Sequence, residues 1–299
     1  MANTVFHIEG GIGKNIAATA VTAAYKKTHP KRKIIVVTAY PEVWMKNPDI
    51  ARFYTIGNTP YFYQDVIKKK GVEVYCQDPY RQTGHITKKT HLVETWCDMV
   101  GVKYGGEKTV LNFNFREIDE GQHHMEQLPG RDATKPLLIF QPFGGPGKEH
   151  GQHPYAWPRD MNPQQAQQVV NALKDTYNVV HICYEQHPQL TDCIRFDKMV
   201  GKKPLFAMLS FSQKRVLIDS VLQHAAAGLE LPSTVIWGTT SPEIFGYPIH
   251  NNIGPKVPQQ EGTIDSYLYD YDFNGHTYQC PYINRDIHDV DAIVKSVLD

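Results

Sequence analysis

At 299 residues the chain is long enough for two domains of about 150 residues each. Its hydrophobic content of 41% is ordinary for a globular protein with a sizeable core. Thirty-one lysines and arginines balance thirty-one aspartates and glutamates, which argues against a generic polyanion binder.

Local basic runs remain at "KKTHPKRK" (Lys26 to Lys33) and "KKK" (Lys68 to Lys70), and solvated helix ends account for both without a partner. Five scattered cysteines without a CxxC pair point to reduced thiols. The first residues show no signal-peptide apolar region, and no apolar run nears the roughly 18 residues of a membrane span. A cytoplasmic protein without a transmembrane segment is expected.

In chain order, "TVFHI" (Thr4 to Ile8) is a strand that runs into "EGGIGKN", and an alanine-rich helix follows from about Asn15 to Lys27. "KIIVVTA" (Lys33 to Ala39) and "VEVYC" (Val72 to Cys76) are further strands, and "ITKKTHLVETWCDMVG" (Ile86 to Gly101) reads as a helix. These β-branched runs hardly alternate, as parallel strands buried on both faces do. Strands alternating with helices predict a doubly wound α/β sheet. From Asn114 to Lys135 the chain turns polar and reads as a strand end, a short helix and a linker.

The pattern then restarts. "LLIFQ" (Leu137 to Gln141) leads into the glycine loop "PFGGPG", and a helix follows with Asn162 as N-cap and Pro163 in its first turn. "NVVHICY" (Asn178 to Tyr184), "RVLID" (Arg215 to Asp219), the helical "QHAAAGLE" and "TVIWG" (Thr234 to Gly238) complete a second α/β unit. Domains at 1–135 and 136–275 are expected, with a closing helical segment at 276–299.

Ligands of open α/β sheets sit beyond the carboxyl ends of the strands. The loop "EGGIGK" is not a nucleotide P-loop, because Ile8 stands where the first glycine is required. It is a poor dinucleotide fingerprint too, with Ile16 in place of the third glycine and no acidic residue ending the second strand. In the second half, Gly144, Gly145, Gly147 and Lys148 place amides and a cation near a strand end, a setting for an anion. Asp219 ends a strand, Ser220 follows, and His224 falls in the first turns of a helix. A hydroxyl, an imidazole and a helix N-terminus facing one gap suit a diphosphate; a serine N-cap and a surface histidine explain the same residues equally well. "DYD" (Asp270 to Asp272) lies in a tyrosine-rich tail, and His123, His124, His150 and His153 lack partners at ligand spacing, so no metal is expected.

"GGIGKNIAATAVTAAYKKTHPKRKIIVVT", "AWP" (Ala156 to Pro158) and "DSVLQHAAAGLELPSTVIWGTTSP" together resemble family 9 glycosyltransferases, the heptosyltransferase-like group. The matching family patterns are a GGxGD loop, an "RWP" step and "DSGPxHLAAALGxPTVxLFGPTxP". The resemblance spans about residues 5 to 245. It implies a GT-B architecture: two Rossmann-like domains facing a cleft, and a C-terminal helix returning to the N-terminal domain.

Such an enzyme moves a sugar from a nucleotide-diphosphate sugar to an acceptor hydroxyl. It needs no cofactor beyond that donor and no metal. The acceptor implied is a surface glycan or lipopolysaccharide, lipid-linked where it is membrane-borne; a hydroxylated base of DNA is the other candidate, given the basic runs. The donor side is expected to use Gly144, Gly145, Gly147, Lys148, Glu185, Asp219, Ser220, His224 and Thr239. The acceptor loop is expected to use Gly11, Gly13 and Lys14.

Lys14 stands where the family carries an aspartate general base. The nearest carboxylate in the same loop, Glu9, is the first candidate to replace it, Asp78 the second, and His85 the third. A lysine in the first turn of a helix opposes the helix dipole, so an anion must compensate: a phosphate of the donor or acceptor, or Glu9 in an ion pair. A catalytically inactive nucleotide-sugar binder and a dinucleotide-dependent oxidoreductase are the competing readings.

Overall fold

The computed structural model describes residues 2–87, 89–144, 159–197, 200–260 and 282–299. The chain divides into two compact units, Met1–Phe113 and Asn114–Asp299.

The strands of the first unit are β1 (Asn3–Ile8), β2 (Lys33–Thr38), β3 (Arg52–Thr55) and β4 (Glu73–Tyr75). They form one sheet in the order β3-β2-β1-β4, every described pairing being parallel. The register runs from Asn3 opposite Lys33 to Ile8 opposite Thr38, and Thr4 lies opposite Glu73. The chain winds outward from β1 to β3 and then returns to the other side of β1 for β4. That reversal leaves a crevice beyond the carboxyl ends of β1 and β4.

The helices are α1 (Ile12–Thr28), α2 (Pro41–Trp44), α3 (Thr83–Ile86) and α4 (Leu92–Met99). In α1, Ile16, Ala17, Ala20, Val21 and Ala24 are buried. The helix predicted at Ile86 to Gly101 is shorter, because His91 caps it through Nδ1, which accepts from Val93 N at 3.2 Å. The other face of the sheet buries Val5, Ile35, Val37 and Tyr54 against Val66, with Phe62, Ile67 and Val72 packed on them.

The second unit contains β5 (Leu137–Phe140), β6 (Asn178–Ile182), β7 (Ile194–Phe196), β8 (Lys214–Ile218), β9 (Thr234–Ile236) and β10 (Asn251–Ile253). Their order is β10-β9-β8-β5-β6-β7, again parallel throughout. The chain moves out from β5 to β7, then crosses back to β8 and out to β10, so its reversal lies between β5 and β8. Its helices are α5 (Phe115–Glu126), α6 (Pro163–Leu173), α7 (Lys202–Met208), α8 (Val221–Gly228), α9 (Pro242–Phe245) and α10 (Val290–Leu298).

Two expectations about organisation change. The polar stretch after Asn114 is no linker: Asn114 and Glu117 form a capping box that starts α5, which packs on α7. The division therefore falls at 113/114 and not near 135. The closing helix α10 packs on α6 and the second sheet, burying Ile293 and Val297 in that unit's core, where a return to the first unit was expected. Among the described residues, no helix is long and apolar enough to cross a membrane.

Candidate functional site

Each sheet places chemistry at its own reversal point. In the first unit β1 ends at Ile8, and Gly10 adopts a φ of 95°, a left-handed conformation that favours glycine. Gly11 caps α1 without a side chain, Gly13 falls in the first turn, and that turn carries no acidic residue. Lys14 therefore has an ammonium at the positive end of a helix.

The compensating anion is Asp78, from the loop after β4. Lys14 Nζ donates to Asp78 Oδ1 at 2.8 Å, the two side chains being 5% and 37% exposed. The same oxygen accepts from Tyr80 N at 3.0 Å, so the carboxylate is held from two sides. Lys14 Nζ also lies 4.7 Å from the centre of the Tyr80 ring and 5.8 Å from that of Trp96, at cation–π range. Behind it Asn15 is buried; its Oδ1 accepts from Thr38 Oγ1 at 2.6 Å and Trp44 Nε1 at 3.2 Å, fixing the first turn of α1 to β2 and α2.

Glu9 does not make the ion pair with Lys14 that the sequence raises. Its side chain is 75% exposed and lies 3.8 Å from His7. His85 is buried and stacked on Tyr80, with ring centres 4.9 Å apart. Burial pushes its pKa down to about 4; the Asp78 charge opposes that shift and the Lys14 charge adds to it. His85 is thus a neutral, inward-facing imidazole at neutral pH.

In the second unit, Gln141 at the end of β5 donates through Nε2 to Ser220 Oγ at 3.3 Å, across the β5/β8 reversal. Gln141 Oε1 is buried and finds no partner among the described residues. Ser220 is the N-cap of α8, but its side chain does not cap the helix. Gln223 N donates to the Ser220 backbone oxygen at 3.2 Å, and the Val221 and Leu222 amides make no bond to the Ser220 side chain.

Gly144 lies against this corner: a Cβ there would sit 3.2 Å from Ile218 Cδ1 and 3.3 Å from Ser220 Oγ. Its backbone is fixed by Asp160 Oδ1, which accepts from Gly144 N at 2.9 Å. Asp219 is buried, and burial raises its pKa, offset in part by the Arg159 charge and by Thr240 and Gln223. His224, in the same helix, is buried, and its Nδ1 is 2.8 Å from Tyr247 Oη. Thr239 is buried just beyond β9.

Ser220, Gly144, Asp219, His224 and Thr239 thus gather at the carboxyl edge of one sheet. Glu185 lies in an exposed turn after β6. Gly145, Gly147, Lys148, His150, His153, the "AWP" step and "DYD" lie outside the described residues. No group of three or more histidine, cysteine or acidic side chains able to hold a metal occurs among the described residues.

Tyr80, Trp96, Gln141 and Asp160 are site residues that the motifs do not mark. Gln141 carries a legible signal, a polar residue closing the apolar run "LLIF"; Trp96 and Asp160 carry none.

Two doubly wound parallel units in one chain define the GT-B class of fold. The chain is similar to a solved family 9 glycosyltransferase from Veillonella parvula, with 13% identity over 99% of this chain and 96% of that one and a TM-score of 0.68. It is also similar to the iron-containing dodecameric glycosyltransferase TibC of enterotoxigenic Escherichia coli (15% identity, 99% and 75% coverage, TM-score 0.63) and to the E. coli ADP-heptose lipopolysaccharide heptosyltransferase II (14%, 90% and 94%, 0.57). These likenesses establish the fold. No protein-family profile matches the chain. No curated protein sequence matches it either.

Proposed function

We propose that this protein transfers a sugar from a nucleotide-diphosphate sugar to an acceptor hydroxyl. The observation that carries the reading is the α8 N-terminus at the β5/β8 reversal, with its amides unoccupied by the Ser220 side chain. Such a corner offers fixed N–H donors and a helix dipole to a dianionic group. A TibC structure holding ADP-D-β-D-heptose supports the same ligand class on a shared fold.

In this reading the amides of α8, the Ser220 hydroxyl and the close-approach surface at Gly144 receive the donor diphosphate. Gln141, already bonded to Ser220 Oγ, orients that hydroxyl. As the bond between the sugar's anomeric carbon and the diphosphate oxygen breaks, negative charge grows on the diphosphate, and these donors stabilise it.

The acceptor hydroxyl attacks the anomeric carbon and gives its proton to a carboxylate. Asp78 fits that role better than Glu9, because Lys14 and the Tyr80 amide hold it in one place. Glu9 is an exposed carboxylate 3.8 Å from His7, and His85 is buried and stacked on Tyr80. The acceptors raised by the sequence are a surface glycan or lipopolysaccharide and a hydroxylated base of DNA, and of these lipopolysaccharide and DNA are polyanions.

A thermal-shift series with ADP, UDP, GDP and their sugar conjugates, followed by donor turnover, tests this. One nucleotide family should raise the melting temperature; at a hundredfold excess over Kd the stabilisation is about 2.7 kcal/mol. Asp78→Asn should cut turnover by about a hundredfold or more, the usual size of a lost general base, while Glu9→Gln leaves it near wild type. Ser220→Ala should weaken nucleotide binding by about tenfold or more, as expected for a hydrogen bond to a charged group. No nucleotide response, or a fully active Asp78→Asn, would sink the proposal.

A further inference from the structure

The balanced charge of the whole chain hides an uneven distribution. Residues 1–113 carry sixteen lysines and arginines against nine aspartates and glutamates; the remainder carries fifteen against twenty-two. The excess positive charge of the first unit is not spread evenly either.

Lys31 and Lys33 flank Arg32 at the start of β2, and Lys68, Lys69 and Lys70 precede Gly71 at the start of β4. Arg32 ties these stretches together, donating to Asn3 O at 2.7 Å and Gly71 O at 3.0 Å. Arg32 itself is neutralised by Glu73 at 3.2 Å. The five lysines are all exposed, and none of them has an ion pair among the described residues. The nearby acids are engaged elsewhere: Glu107 with Lys27 and Asp65 with Arg52. The amino edge of the first sheet is therefore a field of uncompensated positive charge.

The segment 59–70, "TPYFYQDVIKKK", connects that edge to the other one. Phe62 packs on Tyr54 near the carboxyl end of β3, and Val66 O accepts from Asn3 Nδ2 at the amino edge, so the segment crosses the sheet from one edge to the other. Phe62, Val66 and Ile67 point inward. What faces solvent at the carboxyl end is Tyr61 and Tyr63, 79% and 63% exposed. Tyr61 holds a φ of 57°, a left-handed conformation uncommon for an aromatic residue.

We propose that this segment and the lysine edge form a track for a nucleic-acid strand, whose phosphates lie on Lys31, Lys33 and Lys68 to Lys70 and whose bases stack on Tyr61 and Tyr63. Stacking platforms joined to a basic strip are what single strands bind, and the tyrosines lie at the same carboxyl end of the sheet as the loop that carries Asp78, though on the β3 side while that loop follows β4 at the opposite edge. A bilayer fits less well, because the aliphatic side chains of the segment are turned into the core and cannot insert. The inference names the acceptor class of the reaction proposed above and rests on that reading only for its catalytic consequence.

Fluorescence anisotropy of the full chain with a labelled 20-nucleotide single-stranded DNA tests it. If all five lysines engage phosphates, affinity should fall by about a hundredfold between 50 and 200 mM salt. Lys68→Gln/Lys69→Gln/Lys70→Gln should flatten the log–log salt slope by about two. Tyr61→Ala/Tyr63→Ala should weaken binding by about fivefold or more per stacked base while leaving the slope unchanged.

No binding at 50 mM salt, an unchanged slope in the lysine variant, or binding to phosphatidylserine vesicles in preference to DNA would each overturn the track. Nucleotide thermal shifts in the same variants keep the two proposals separate: they should persist even where DNA binding is lost.

Discussion

The Lys14–Asp78 pair predicts an asymmetric response to mutation. Removing Asp78 by Asp78→Ala strands an ammonium whose side chain is only 5% exposed. Breaking a fully buried pair in that way costs about 3–5 kcal/mol. Asp78 is 37% exposed, so water reaches the vacated place and reduces the cost. The rings of Tyr80 and Trp96 go on holding the cation at about 0.5–1 kcal/mol each. Loss of the Tyr80 amide bond adds about 0.5–1 kcal/mol in the other direction. The expected cost is about 2–3 kcal/mol.

Lys14→Met behaves differently. A thioether of similar length fills the slot between Tyr80 and Trp96, and the aspartate it abandons is solvated. The expected cost is within about 1 kcal/mol. The double variant should then resemble Lys14→Met alone, giving a coupling energy nearly equal to the cost of the aspartate deletion. Urea unfolding followed by circular dichroism and by tryptophan fluorescence reads all three. Equal costs for the two single variants, or additive costs in the double variant, would refute the picture of a buried cation dependent on one anion.

Two further outcomes follow from the geometry. His85, His181, His250 and His288 are each held down to a pKa of about 4 by burial, so between pH 6.5 and 4 the unfolded chain binds protons that the folded chain refuses. Stability should therefore fall as pH drops from 7.5 to 5.5, by on the order of 1 kcal/mol per histidine; a flat urea midpoint over that range would contradict the burial of these rings. Gly121 lets α5 approach α7, since an added Cβ would meet Ala207 Cβ at 2.7 Å and Pro204 O at 3.0 Å, so Gly121→Ala should destabilise the second unit by about 1–3 kcal/mol in thermal or urea unfolding.

The apolar runs that end in loops were readable because parallel strands buried on both faces leave little room for polar residues. β1, β2, β5, β6, β8 and β9 all fall within a residue or two of those runs. Of the edge strands, β4 was readable in "VEVYC", but β3, β7 and β10 were not. "RFYT", "IRF" and "NNI" are only three or four residues long and partly exposed, too short to show a period, and pairing with a neighbour makes them strands. The capping box at Asn114 and Glu117 was present in the sequence, but a helix with a mean polar character looks like a linker until α7 covers it. At the site, glycine turns and the "DSVLQH" stretch marked both crevices, whereas the partner of Lys14 lies sixty-four residues away and no spacing rule could pair them.

That pairing follows from the winding of the first sheet. β4 returns beside β1, with Phe6 opposite Tyr75, so the loops leaving the two strands meet at one corner. A residue in the first turn of α1 and a residue three positions beyond β4 are therefore neighbours. The family that the sequence resembles carries its carboxylate on the α1 side of this corner. Here the α1 side carries the cation and the β4 side carries the carboxylate, at 2.8 Å. The corner thus holds one charge of each sign, Lys14 from the α1 side and Asp78 from the β4 side. Lys14→Asp/Asp78→Lys would exchange the charges across the same corner. Retention of the corner's stability with altered turnover would show that what the fold requires there is one charge of each sign, while the chemistry depends on which side bears the carboxylate.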